Sequence, residues 1–149
     1  MKPIPEGYEA TFDLIVRDDM TVDFEQDPPL GKLHPVYATY WMTKHMELVS
    51  RKVILPFLEA DEEGIGFEVS VKHVASALPG MRVSVSAEHV ETENVKIENH
   101  RVYTRCEAYN ELGNKLGEGK VTQVILKRER LESLLTTLQT RWDTRKKSK

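Results

Sequence analysis

Three side chains of this sequence have types and settings suited to moving protons at a polar bond: Thr39, Glu47 and His73. Glu47 lies between Met46 and Leu48 in a stretch of helical spacing, close in projection to Thr43, Ser50 and Arg51. A carboxylate in an apolar groove gains proton affinity and can polarise water or orient a base, whereas one paired with Lys44 or Arg51 on a solvated face does neither. His73 follows Phe67, Val69 and Val71 at period two, which predicts a ring on the same apolar face. It is either a satisfied core histidine or an imidazole that donates and accepts at once beside a nucleophile. Thr39 stands where a loop gives way to the helix, as a capping hydroxyl or as a group that positions water or attacks an acyl carbon. Amides of the opening turn there favour an incoming carbonyl or phosphate oxygen.

Other candidates carry weaker signals. His34, His45, His89 and His100 lack so clear an orientation, although His34 and His45 flank the same loop-to-helix junction. Gly64 and Gly66 suit either a turn or the close approach of a ligand carbonyl to backbone amides. With Gly113, Gly117 and Gly119 they form neither a P-loop nor a dinucleotide fingerprint. No Cys/His cluster suggests a metal, and Cys106 reads as structural.

These residues need elements to hold them. Tyr8, Ala10, Phe12, Leu14 and Val16 alternate with polar positions and predict a half-buried strand. Arg17 to Pro35 lose regular pattern and read as a long lid or rim, with local structure around Thr21-Val22-Asp23-Phe24 left unassigned. Met42, Met46, Val49, Val53 and Phe57 predict one long amphipathic helix from Thr39 to Phe57, ended by Pro56. Two strands around the Leu78-Pro79-Gly80 turn are expected to pair with each other. Two more are joined by a hairpin at Asn110-Glu111-Leu112-Gly113-Asn114, with a bulge near Asn99-His100-Arg101-Val102. Leu131, Leu134, Leu135, Leu138 and Trp142 predict a second amphipathic helix with a basic tail. The sum is an α+β chain, an antiparallel sheet with a helix on its apolar face, read as a domain over 1–127 and a helical extension over 128–149. One helix covers only part of such a sheet, so a homodimer is expected.

Composition narrows the partners. The chain has 149 residues, the size of one domain, and 21 basic residues against 24 acidic ones give a net charge of −3. That removes the broad polycationic surface nucleic-acid binding requires. A lone cysteine and the lack of a charged-then-apolar leader make the cytoplasm the expected compartment. The longest apolar run, Val53 to Leu58, is too short to cross a bilayer, so no stable membrane association is expected.

The segments Pro35-Val36-Tyr37-Ala38-Thr39-Tyr40-Trp41-Met42 to Glu47, Gly64-Ile65-Gly66-Phe67-Glu68-Val69-Ser70-Val71-Lys72-His73 and Leu78-Pro79-Gly80-Met81 resemble the thioesterase family containing fluoroacetyl-CoA thioesterase. The resemblance runs from about Tyr8 to Leu126 and includes a glycine-bearing turn, Lys115-Leu116-Gly117-Glu118-Gly119. It implies a hotdog fold, a homodimer with the acyl-CoA site near the subunit interface, no cofactor, and hydrolysis of an acyl-CoA thioester to a free acid and coenzyme A. By the same resemblance Thr39, Glu47 and His73 are the catalytic set, and Gly66 binds the thioester carbonyl through its backbone. Tyr37 matches an aromatic at the acyl pocket, while Gln123 stands where an arginine is expected. Tyr40 and Trp41, with Val36, Tyr37 and Met42, offer an apolar surface for the acyl group. Competing readings are a non-catalytic acyl-CoA or lipid-like ligand-binding dimer, a hotdog hydratase or dehydratase, and a purely structural module.

Overall fold

The computed structural model describes residues 1–96 and 99–148. Strand β1 (Glu9–Ile15) is followed by a one-turn 3-10 helix (Asp18–Met20), the pair β2 (Thr21–Phe24) and β3 (Gly31–Tyr37), and helix α1 (Thr39–Ile54). Strands β4 (Glu62–His73), β5 (Arg82–Lys96), β6 (Asn99–Asn110) and β7 (Lys115–Lys127) then lead into helix α2 (Arg128–Lys147). The five long strands form one antiparallel sheet in the order β1-β5-β6-β7-β4, with β4 at one edge. The sheet wraps α1: Met42, Met46, Val49, Val53 and Ile54 are fully buried together with Val83, Val85, Ala87, Val102, Cys106 and Ile125. This is the hotdog architecture, with α2 added beyond it.

Several expectations need correction. The stretch after β1 is ordered: β2 and β3 form a two-stranded sheet with register shifts at Val22. Their anchors are long-range, since the Tyr40 hydroxyl accepts from Asp23 N–H at 2.8 Å and lies 3.0 Å from the Asp23 carbonyl. Alternation along the chain therefore carries little sign of them. Helix α1 stops at Ile54, and Leu55–Phe57 tighten into a 3-10 turn because Pro56 has no N–H to continue the ladder.

Strands β4 and β5 do not pair. β4 pairs with β7, and β6 and β7 lie between it and β5. The connection crosses the end of the sheet with Ala77 in the core, where its carbonyl accepts from Tyr37 N–H. The register shift near residues 99–102 falls on β5, after Asn94, rather than on β6. The segment Lys115–Gly119 is the start of β7 and not a turn. A Cβ at Gly119 would sit 2.9 Å from Met46 Sδ, so glycine there lets α1 lie close to the sheet. The Asn110–Asn114 hairpin is as expected: Asn110 Oδ1 accepts from the N–H of Leu112 and of Asn114, and Gly113 takes a φ of 84°.

Phe67 does not share the face of Val69 and Val71. It is the extra residue of a bulge between Gly66 and Glu68, 56% exposed, with the Arg101 guanidinium 4.7 Å from its ring. Glu62 and Gly64 point inward before the bulge, and the partly buried Val69, Val71 and His73 follow the opposite parity after it.

Among the described residues, no helix is long and apolar enough to cross a membrane.

Candidate active site

The first residue of α1 meets the last residue of β4. Thr39 Oγ1 lies 2.7 Å from His73 Nδ1, across 34 positions of sequence. The N-cap of α1 is Ala38, and no side chain caps the helix. The capping alternative for Thr39 is therefore set aside, because its hydroxyl is committed to the imidazole. The uncapped first turn leaves amide donors and the positive end of the helix dipole beside that hydroxyl. Burial holds His73 below the usual imidazole value of 6.5, with the Ala75 backbone partly opposing, so the ring is neutral near pH 7. Its Nε2 is enclosed and makes no hydrogen bond. A neutral imidazole against a hydroxyl is a base set to receive a proton.

Glu47 is exposed, two turns further along α1 and about 12 Å of axial rise from Thr39. It pairs with neither expected partner: Arg51 donates to Glu63 Oε1 at 2.6 Å and to the Gly64 carbonyl at 2.7 Å, while Lys44 lies 4.5 Å from the Trp41 ring centroid. These contacts orient the helix against the edge strand. α1 runs antiparallel to β4, pinned at one end by Thr39–His73 and at the other by Arg51–Gly64. Glu47 lies on α1 between those pins and Gly66 lies between them on β4, so both positions belong to the α1–β4 seam. A Cβ at Gly66 would meet nothing within 4 Å and its φ is not positive, so neither packing nor backbone conformation demands glycine there. Glu47 makes no hydrogen bond to the Thr39–His73 pair, and β4 is at the edge of the sheet.

The expected acyl-pocket residues lie elsewhere. Tyr37 is fully buried, and its hydroxyl shares a hydrogen bond with His45 Nδ1. Tyr40 and Trp41 border an open cavity of about 580 Å³ with Asp19, Asp23 and Phe24, which does not include Thr39 or His73. Gln123 is buried opposite Gly66 in the β4–β7 register, and its Nε2 donates to the Ser50 carbonyl at 3.0 Å. It supports α1 from below.

Two buried polar groupings escaped the sequence reading. His45 packs among Phe12, Tyr37 and Trp41, and burial, with the charges of Lys44 and Arg17 adding, lowers its pKa to about 4. The signal lay in its place among Met42, Met46 and Val49 on the inner face of α1. Ser50 accepts from Thr104 at 2.8 Å and lies 3.3 Å from Cys106 Sγ, whose thiol burial pushes up, away from a nucleophilic role. Among the described residues, no cluster of three or more His, Cys, Asp or Glu is arranged to hold a metal ion.

Comparison with known proteins decides the family. A family model described as fluoroacetyl-CoA-specific thioesterase (FlK) matches residues 16–129. The chain belongs to this family of hotdog thioesterases. The family match stops at the first turn of α2. The fluoroacetyl-CoA thioesterase of Streptantibioticus cattleyicolor is 26% identical over 129 residues, covering 85% of this chain and 88% of that protein. A Thermus thermophilus protein described as a thioesterase superfamily member is 58% identical, with a TM-score of 0.89 over 97% of this chain and 99% of its own. A point mutant of FlK solved with fluoroacetate and CoA has 26% identity and a TM-score of 0.75, over 85% of this chain and 98% of its own. The enzyme class is thus a thioesterase.

Proposed function

We propose that this thioesterase hydrolyses an acyl-CoA thioester to the free acid and coenzyme A, with Thr39, Glu47, His73 and Gly66 as its working residues. The observation that carries the reading is the 2.7 Å contact between a hydroxyl at an uncapped helix start and an imidazole kept neutral by burial. His73 takes the proton from an oxygen at the Thr39 position, either the threonine hydroxyl or a water held by it. That oxygen adds to the thioester carbonyl, and the C–S bond then breaks as the thiol leaves with a proton. Attack by water yields the acid directly. Attack by the threonine leaves an acyl ester on Oγ1, to which water, deprotonated by His73, adds so that the Oγ1–acyl bond breaks and the proton returns to Thr39. Backbone donors at the α1 start and at Gly66 stabilise the charge on the carbonyl oxygen, an interaction strongest in the transition state. Glu47 orients water or the base from along the seam.

β4 is an edge strand with Ile65 and Phe67 exposed, and it borders the α1–β4 seam. Pairing of two β4 edges about a twofold axis covers the edge and closes the seam, so the functional unit is read as a homodimer. Tyr40 and Trp41 serve the acyl group in this reading only if substrate reaches the cavity beside the β2–β3 hairpin. The acyl group is left as a class, because a pocket discriminates by only about 1–3 kcal/mol per methylene.

Free-thiol release over a panel of short, branched, aromatic and medium-chain acyl-CoAs tests the reading, with His73→Ala and Glu47→Gln as controls. Turnover strongly lowered in the controls, by about 10²-fold or more for His73→Ala, with ligand binding retained is the expected result. Binding without thiol release in the wild-type protein points instead to a ligand-binding dimer. Conversion of an enoyl-CoA without thiol release points to a hydratase.

A further inference from the structure

Helix α2 is the largest feature that the catalytic reading leaves unused. It has 20 residues, none of them buried, and spans about 30 Å. Its join to the body is at its start, where Arg128 N–H donates to the Asp61 carbonyl at 2.8 Å. Leu134, Leu135, Leu138 and Trp142 are each at least half exposed. With Leu131 they recur at helical offsets and form one continuous stripe. A contiguous apolar stripe of roughly several hundred Å² marks an interaction surface.

A second apolar patch lies at the other end of β4. Val74 is 66% exposed and Leu78 49%, directly after His73. α2 leaves from the opposite end, since Lys127 pairs with Glu62 at the start of β4. An antiparallel twofold joining two β4 edges carries the start of each β4 to the end of the other. In that pairing the start of each α2, beside the start of its own β4, stands next to the end of the partner strand, where Val74 and Leu78 are exposed, and the same relation holds in reverse by symmetry. Stable interfaces take roughly 800 Å² per partner, and the stripe adds substantially to what Ile65 and Phe67 offer at the edge. Glu129, Glu132 and Asp143 are interspersed with the basic residues of α2, which suits a protein surface better than an anionic lipid surface.

We propose that the apolar stripe of α2 packs on a second copy of this chain, over its Val74 and Leu78, and forms one wall of that copy's Thr39–His73 site. The inference rests on the dimer reading given under the proposed function.

Sedimentation of the full chain combined with acrylamide quenching of Trp142, in a Trp41→Phe background, tests it. The expected result is a dimer in which Trp142 emission is blue-shifted and quenched severalfold less than in Leu138→Glu. That variant should also weaken the dimer at least about tenfold. In a Cys106→Ser background, mixing Leu138→Cys with Leu78→Cys protein should give a disulfide-linked heterodimer. A dimer whose Trp142 is quenched as freely as in Leu138→Glu, with no cross-link, overturns the proposal and leaves the dimer reading intact. A monomer at every concentration overturns both. Protection of Trp142 only after phosphatidylglycerol vesicles are added overturns the proposal in favour of a lipid occupant.

Discussion

Thr39 Oγ1 and His73 Nδ1 meet at 2.7 Å because the start of α1 is laid over the end of β4. The Arg51 guanidinium fixes the far end of the same seam on the Gly64 carbonyl. The helix is thus registered along the edge strand at two points 12 residues apart. A shift of one turn would separate the hydroxyl from the imidazole by about 5 Å.

Removing either member of the pair should strike turnover far more than binding. His73→Ala and Thr39→Ala are each expected to lower kcat by about 10²–10⁴-fold, the range of a lost proton-transfer partner, and Thr39→Ser should restore part of the loss. Steady-state kinetics with a CoA-thiol readout measure this, and an unchanged kcat in both alanine variants would remove the pair from the mechanism.

The pH profile follows from the neutral state of His73. Burial lowers its pKa from 6.5, so the base form persists to lower pH than in a free imidazole. kcat/KM should rise with pH through an apparent pKa below 6.5 and then level off. A profile whose acid limb titrates above 6.5 would mean that another group supplies the base.

Gly66 is a residue whose replacement the fold should tolerate. Nothing lies within 4 Å of a Cβ there, so Gly66→Ala should leave thermal stability within about 1 kcal/mol of the parent. The new methyl stands in the seam, and a rise in KM or a fall in kcat is the expected outcome if ligand passes there. Melting curves alongside kinetics separate the two effects.

The Tyr37–His45 pair should give stability its own pH dependence. His45 falls from 6.5 to about 4 in the folded chain, so the unfolded chain binds its proton more readily between those values. This contribution is complete above pH 6.5, is lost as pH falls from 6.5 to 4, and changes no further below. It reaches up to about 3 kcal/mol. Urea titrations of wild type and His45→Leu across pH 4–7 isolate it by difference. Tyr37→Phe should cost about 1–3 kcal/mol at neutral pH, since it leaves a buried imidazole nitrogen without its hydroxyl.

Local pattern determined the half-buried β1, the long apolar helix, the Asn110–Asn114 hairpin, the place of Thr39 at the loop-to-helix junction and the shared face of Val69, Val71 and His73, because period 2, period 3.6 and turn chemistry act over a few residues. Family resemblance added the hotdog fold and the choice of Thr39, Glu47 and His73 from among many polar residues. Which strands pair was decided by the tertiary structure alone: the order β1-β5-β6-β7-β4 depends on a crossover whose stabilising contacts, Ala77 with Tyr37 among them, join distant segments. The same holds for the bulge at Phe67, the Tyr40 anchors of the β2–β3 hairpin and the burial of Tyr37 on His45. A side chain's neighbours across the core are fixed by packing, and packing leaves only a faint trace in the spacing of residues along one strand or helix.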